Sequence, residues 1–103
     1  MRYEIIRTDK ANDQLYDIIN YIADDSASVD IALNYLSKIE ETVMKLEYYP
    51  YRGTYPRYSI LKRQGYRVLI IERHLIFYKV KESEKIVVIH AIVDARQEYM
   101  NLI

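Results

Sequence analysis

Apolar residues recur at three- and four-residue steps twice in the first half of the chain, and no other feature limits its folding so tightly. Ala11, Leu15, Ile18, Ile19 and Ile22 form the first stripe, and Ala32, Tyr35, Leu36, Ile39, Val43 and Leu46 the second. That spacing lays each set along one face of an amphipathic α-helix. Thr8 or Asp9 offers a side-chain oxygen to cap the first helix, which should end near Asp24 and Asp25; Ser28 can cap the second, and Pro50 forbids its continuation. Two helices joined by so short a connection form an antiparallel hairpin, which must bury its stripes on another layer.

The rest of the chain supplies that layer. Tyr3 to Arg7 reads as a short leading strand. Arg57 to Arg63, Tyr66 to Ile71, His74 to Lys81 and Lys85 to Ile92 are rich in β-branched and aromatic residues. The polar breaks between them, at Gln64-Gly65, Glu72-Arg73 and Glu82-Ser83-Glu84, suit tight hairpins. The expected order is βααββββ, an α+β chain with its helical hairpin on one face of a mostly antiparallel sheet. Arg96 to Leu102 fits either a short helical turn or an extended tail. Residues 1–103 leave room for one domain with one core, and only two glycines and two prolines leave no linker.

The absence of cysteine excludes disulfides, thiolate zinc sites and a cysteine nucleophile. A reducing cytoplasm fits best. No apolar leader follows Met1-Arg2-Tyr3-Glu4, and no run approaches the roughly 18 apolar residues of a membrane span, so neither secretion nor membrane insertion is expected. There is no glycine-rich phosphate loop, and no cofactor is expected. Asp9, Asp13 and Asp17 share a stripe on the first helix, but no histidine or further carboxylate is placed to complete a metal shell, so a solvated face and no metal are expected.

The zero net charge conceals a division. Residues 1–47 hold ten acids against five bases, and residues 48–103 hold ten bases against five acids. Such asymmetry hints at an anionic partner for the basic half, although acids on solvated helix faces and lysines along solvated strands would produce it too.

Tyr21-Ile22-Ala23 in the first helix, Leu46-Glu47-Tyr48-Tyr49-Pro50 before Gly53, the strand Leu75 to Val80, and the closing run Ile89 to Leu102 with Ala95-Arg96-Gln97-Glu98-Tyr99 resemble, in order and spacing, the RelE/ParE toxins of bacterial type II toxin-antitoxin modules. The resemblance implies a toxin that inhibits growth, a role in plasmid stabilisation, and a cognate antitoxin that binds as an extended or helical segment. It also implies one of two activities. One branch acts as an mRNA interferase, a ribosome-dependent endoribonuclease cutting message in the decoding site; the other inhibits DNA gyrase without known hydrolytic chemistry. The ribonuclease branch tends to begin the strand equivalent to Leu75 to Tyr78 with an arginine, so Leu75 brings this chain nearer the ParE pattern. A third reading is an inactive toxin fold retained for antitoxin binding.

Metal-free RNA cleavage needs fixed cations to stabilise the phosphorane. Arg96 matches the arginine of the family's terminal motif, and Tyr99 lies near the place where the ribonuclease branch keeps an aromatic or histidine. With Arg67 they form the catalytic set expected of a ribonuclease. Each also has a structural alternative: Arg96 can pair with Asp94 or Glu98, and Tyr99 can anchor the tail with its hydroxyl at the surface. Arginine is a poor general base. Neither histidine supplies one readily, His74 reading as an exposed residue at a turn and His90 as a packed strand residue with a local hydrogen bond. Lys62, Arg63, Arg73, Arg52 and Arg57 are the candidates for contact with a target or nucleic acid. Arg52 and Arg57 lie in the tyrosine-rich stretch Tyr48 to Tyr58, whose composition suits stacked bases, a protein interface, or rings closing the open end of the hairpin core.

Overall fold

The structure, a computed structural model, describes residues 2–103. After strand β1 (Glu4–Arg7), helix α1 (Asp9–Ser26) starts where the Thr8 hydroxyl accepts the Ala11 N–H at 3.1 Å. Ala27 ends it in the left-handed region, φ 55°. Ser28 caps α2 (Val29–Met44) by accepting the Ile31 N–H at 3.3 Å. The last turn tightens into a 3-10 segment, Lys45–Glu47, ahead of Pro50. The hairpin therefore forms where the stripes and caps require it.

A short helix α3 (Ser59–Arg63) precedes β2 (Arg67–Ile71), β3 (His74–Lys81) and β4 (Ile86–Asp94), and a 3-10 turn, Met100–Leu102, closes the chain. The sheet order is β1-β4-β3-β2, with β1 parallel to β4 and the other pairs antiparallel. Leu15, Ile39, Val43 and Leu46 of the helical layer bury against Leu69, Ile76, Tyr78, Val87, Ile89 and Ile92 on one sheet face. Each such side chain contributes about 1.5–3 kcal/mol by leaving water. Among the described residues, no helix is long and apolar enough to cross a membrane.

The sheet has four strands rather than five, because Arg57 to Arg63 is not a strand. A strand would turn Tyr58 and Ile60 to one side and Leu61 to the other. Helix geometry instead buries Leu61 and Tyr58 together, three positions apart, and leaves Ile60 50% exposed. Gln64-Gly65 is accordingly no hairpin turn. Gly65 takes φ 94° at the end of α3, where its N–H bonds the Lys62 carbonyl and that of Tyr66 bonds the Leu61 carbonyl.

Leu61 and Tyr58 cover the sheet face opposite the hairpin. With Val68, Phe77, Ala91, Val93 and Tyr99 they make a second apolar cluster, and Met100 and Ile103 pack against it. The faces of β4 are set by a bulge: Tyr78 pairs with Ile89 but Phe77 with Ala91, leaving His90 as the extra residue. Val87 and Ile89 therefore face the hairpin, and Ala91 and Val93 the second cluster. Thr8 ties the bulge down, its N–H donating to the Ile89 carbonyl at 3.0 Å and its hydroxyl to the His90 carbonyl at 3.3 Å.

Candidate functional site

Arg67 opens β2, and its side chain turns back onto the preceding loop. Its Nη1 donates to the Gly53 carbonyl at 2.9 Å and to the Tyr51 carbonyl at 3.2 Å. Its guanidinium lies over the rings of Tyr55 and Tyr51, 4.8 and 5.2 Å from their centroids. Lys62 approaches the Tyr55 ring as well, at 4.3 Å. The loop is held at three further points. Thr54 and Val68 exchange backbone hydrogen bonds of 2.9 Å, the Gly53 N–H reaches the buried Tyr78 hydroxyl at 2.9 Å, and the Tyr51 hydroxyl donates to Glu82 at 2.6 Å.

Glu82 is the hub of that last contact. It also accepts the Tyr3 hydroxyl and the Lys85 ammonium. Lys85, then Tyr51 and Tyr3, hold its carboxyl down at about 2. Tyr48, Tyr49, Tyr51 and Tyr55 remain 61, 68, 48 and 58% exposed, so these rings do not close the hairpin core. Of the tyrosines in the stretch, Tyr58 alone packs inward, and it does so on the opposite face of the sheet.

Arg96 lies near the other end of β2. Its partner Asp94 is opposite His74 in the β3–β4 register, whereas Arg67 is opposite Tyr78. Four residues along β3 separate these positions, about 13 Å at the rise of a strand. Arg96 grips Asp94 through Nη2 at 3.0 Å, Nε at 3.2 Å and its backbone N–H at 2.8 Å. That grip holds the Asp94 carboxyl down at about 2. Arg96 and Arg73 border a cleft of about 510 Å³ between α1 and the end of β4, floored by Ile18, Ile22 and Ile92. Arg73 thus stands apart from Arg52, Arg57, Lys62 and Arg63. Neither Arg67 nor Tyr99 lines this cleft.

His74 borders the same cleft and is buried, not exposed at a turn. Its Nδ1 lies 2.6 Å from the Tyr35 hydroxyl, which is 3.2 Å from the Ile71 carbonyl. A phenol has one proton, so both contacts are met when Nδ1–H donates to Tyr35 and Tyr35 donates to Ile71. Burial pushes the His74 imidazole below its ordinary value and the Tyr35 phenol up to about 12. Sequence reasoning missed this pair, since Tyr35 is one member of an apolar stripe and nothing local joins it to a residue on β3.

Tyr99 is buried in the second cluster, its ring 5.5 Å from that of Phe77 and 5.8 Å from that of Tyr58. Leu75 packs against the same cluster. His90 projects from the bulge with its Nε2 buried and unpartnered, in place of the expected local hydrogen bond. Its ring meets Tyr66 edge to face at 5.4 Å. Burial, then the charges of Lys79, Lys10 and Lys81, lowers its pKa.

A helical hairpin laid on one face of a four-stranded mixed sheet is the fold that this chain shares with chains of two solved toxin-antitoxin structures. The chain is similar to a solved structure described as the chromosomal ParDE toxin-antitoxin system of P. aeruginosa, at 22% identity and a TM-score of 0.75, covering 92% of this chain and 98% of that one. It is also similar to a chain of the RelBE2 toxin-antitoxin complex from Mycobacterium tuberculosis, at 18% identity and a TM-score of 0.65, covering 91% and 99%. Residues 5–99 match the family model of the ParE toxin of the type II toxin-antitoxin system parDE, and the chain belongs to that family. No curated protein matches it.

Proposed function

We propose that this toxin arrests growth by binding an essential cytoplasmic target, DNA gyrase, without catalysing a reaction, and that a cognate antitoxin neutralises it. One observation carries the reading. The sheet face opposite the hairpin is filled by an apolar cluster of Tyr99 and its neighbours, with Leu75 packed against it, while Arg67 and Arg96 are engaged at opposite ends of β2. Transition-state stabilisation needs donors that converge on one reacting centre, and these do not. The antitoxin partner is supported by the similarity to chains from ParDE and RelBE2 systems. Lys62, Arg63, Arg52 and Arg57 are proposed as target contacts, with Arg73 at the separate cleft.

In a purified supercoiling assay the protein is expected to block gyrase, and expression should trigger DNA-damage signalling while translation continues at first. Prompt translational arrest with intact supercoiling would reject the reading. The basic second half favours a RelE-like mRNA endoribonuclease as the alternative. That activity would give codon-positioned cuts in ribosome-bound message, lost in Arg96→Ala. An inactive fold would give no growth defect without its antitoxin.

A further inference from the structure

Between Tyr48 and Arg67 the chain carries Arg52, Arg57, Lys62, Arg63 and Arg67 and not one carboxylate. None of these five joins an ion pair among the described residues; Lys10, Lys45, Arg73, Lys79 and Lys81 share that state but are scattered over the rest of the chain. The segment is also stiff for a surface connection. Arg67, Tyr78, Glu82 and the Thr54–Val68 bridge fasten it from four sides. Donors already fixed in place lose little entropy when a partner arrives.

The aromatic rings narrow the choice of partner. Unpaired bases stack on open ring faces. Here Lys62 and Arg67 sit over Tyr55, Arg67 over Tyr51 and Arg57 over Tyr58. A cation resting on a ring keeps its remaining N–H groups available to an anion. A protein partner would instead seek pockets for its anchor side chains. The four best-formed clefts among the described residues lie elsewhere and take no lining residue from this segment. A cationic surface on which Tyr51, Tyr55 and Tyr58 already carry cations, with Tyr48 and Tyr49 left open beside them, suits a smooth, repeating polyanion.

We propose that the 48–67 segment docks on the phosphate backbone of double-stranded DNA, independently of base sequence. The gyrase reading supplies a setting for this contact, the DNA held by the enzyme, but the docking does not require it.

The test is fluorescence anisotropy of the whole protein with a labelled duplex of about 20 base pairs, between about 20 and 200 mM salt. Binding should weaken linearly on a log–log plot, with a slope of about −0.9 per phosphate contact. Arg52→Gln, Arg57→Gln and Arg63→Gln should each make the slope shallower by about one and weaken binding alike on unrelated duplexes. Lys38→Gln, on the outer side of α2, should leave it unchanged, and thermal melts confirm that the variants fold.

No duplex binding at the lowest salt, or a slope indifferent to the three substitutions, overturns the proposal. So does tighter binding of a single strand of the same length, which would mean stacking, or displacement of the duplex by polyglutamate at matched charge, which would mean an acidic protein surface. Supercoiling assays on the unsubstituted protein, beside its duplex binding, separate the two readings. Duplex binding by a protein that leaves gyrase active supports the docking and overturns the gyrase target; gyrase inhibition by a protein that binds no duplex does the reverse.

Discussion

The Tyr78 hydroxyl accepts the Gly53 N–H at 2.9 Å in the protein interior, so one strand residue in the middle of the sheet positions the whole tyrosine-rich loop. A Cβ at residue 53 would stand 2.6 Å from that hydroxyl oxygen and 2.8 Å from the Val68 carbonyl, and neither can retreat without breaking a bond that holds the loop. Gly53→Ala should therefore destabilise the fold. Tyr78→Phe keeps the ring but leaves a buried N–H without a partner, at about 1–3 kcal/mol. Urea denaturation reads both effects, and an unchanged midpoint in both variants would show that the loop is held elsewhere.

Tyr99 separates packing from chemistry. Its ring fills the second cluster against Phe77 and Tyr58. Tyr99→Ala should cost about 3–5 kcal/mol, the range for truncating a large buried aromatic. Tyr99→Phe should retain both the stability and the toxicity of the parent. A Tyr99→Phe variant that folds normally but permits growth on expression would assign the hydroxyl a chemical role.

Acid should weaken the fold between about pH 4.5 and 2. Glu82 and Asp94 both have folded carboxyls near 2, below ordinary values of 4.5 and 3.8. The unfolded chain therefore binds more protons in this range, and stability present above it is lost as pH falls. In Arg96→Ala the Asp94 carboxyl should return toward its ordinary value, read by NMR titration of its side-chain carbon. An unmoved titration would mean that Arg96 does not hold Asp94 in solution.

The histidines add a step at higher pH. His74 and His90 are both lowered from 6.5 by burial, so the unfolded chain takes up these protons first and stability begins to fall below about pH 6.5. Replacing both with glutamine should flatten the stability profile between pH 7 and the carboxylate range. Persistence of the slope would place its origin in other groups.

Tyr35→Phe tests the tautomer. It removes the acceptor of the His74 Nδ1–H and the donor to the Ile71 carbonyl, at about 1–2 kcal/mol in all. The folded His74 should then show a changed 15N ring shift at Nδ1. An unaltered ring spectrum would mean that the phenol does not set the protonation of the imidazole.

The helical hairpin was legible because everything that makes it lies within a few residues: a stripe at helical spacing, a hydroxyl three residues ahead of an unpaired N–H, and a proline beyond the end. The β2–β3 and β3–β4 hairpins were legible for the same reason, from the polar breaks at Glu72-Arg73 and Glu82-Ser83-Glu84; Glu72 takes positive φ inside the first, and Lys85, expected to open the strand, does so just beyond the second. Lys62, Arg63, Arg73, Arg52 and Arg57, expected from the sequence to meet a target or nucleic acid, are all exposed. His74 was misread as an exposed turn residue, and the carbonyls that hold Arg67, expected in a ribonuclease's catalytic set, were not foreseen. What holds each is a group 14 to 39 positions distant, Gly53 for Arg67 and Tyr35 for His74.

By itself, then, the order of residues determined the hairpin, the three strands of the second half, the acidic and basic division, and the ParE likeness. Only the tertiary structure decided that residues 59–63 coil as a helix, because Tyr58 and Leu61 leave water together only beneath the sheet's second face. It alone brought Tyr3 and Tyr51 to Glu82, across 79 and 31 residues, and set Arg67 and Arg96 at opposite ends of β2. Helix periods and caps act over one or two turns of chain. Contacts such as these depend on the register of distant strands, which no local pattern encodes.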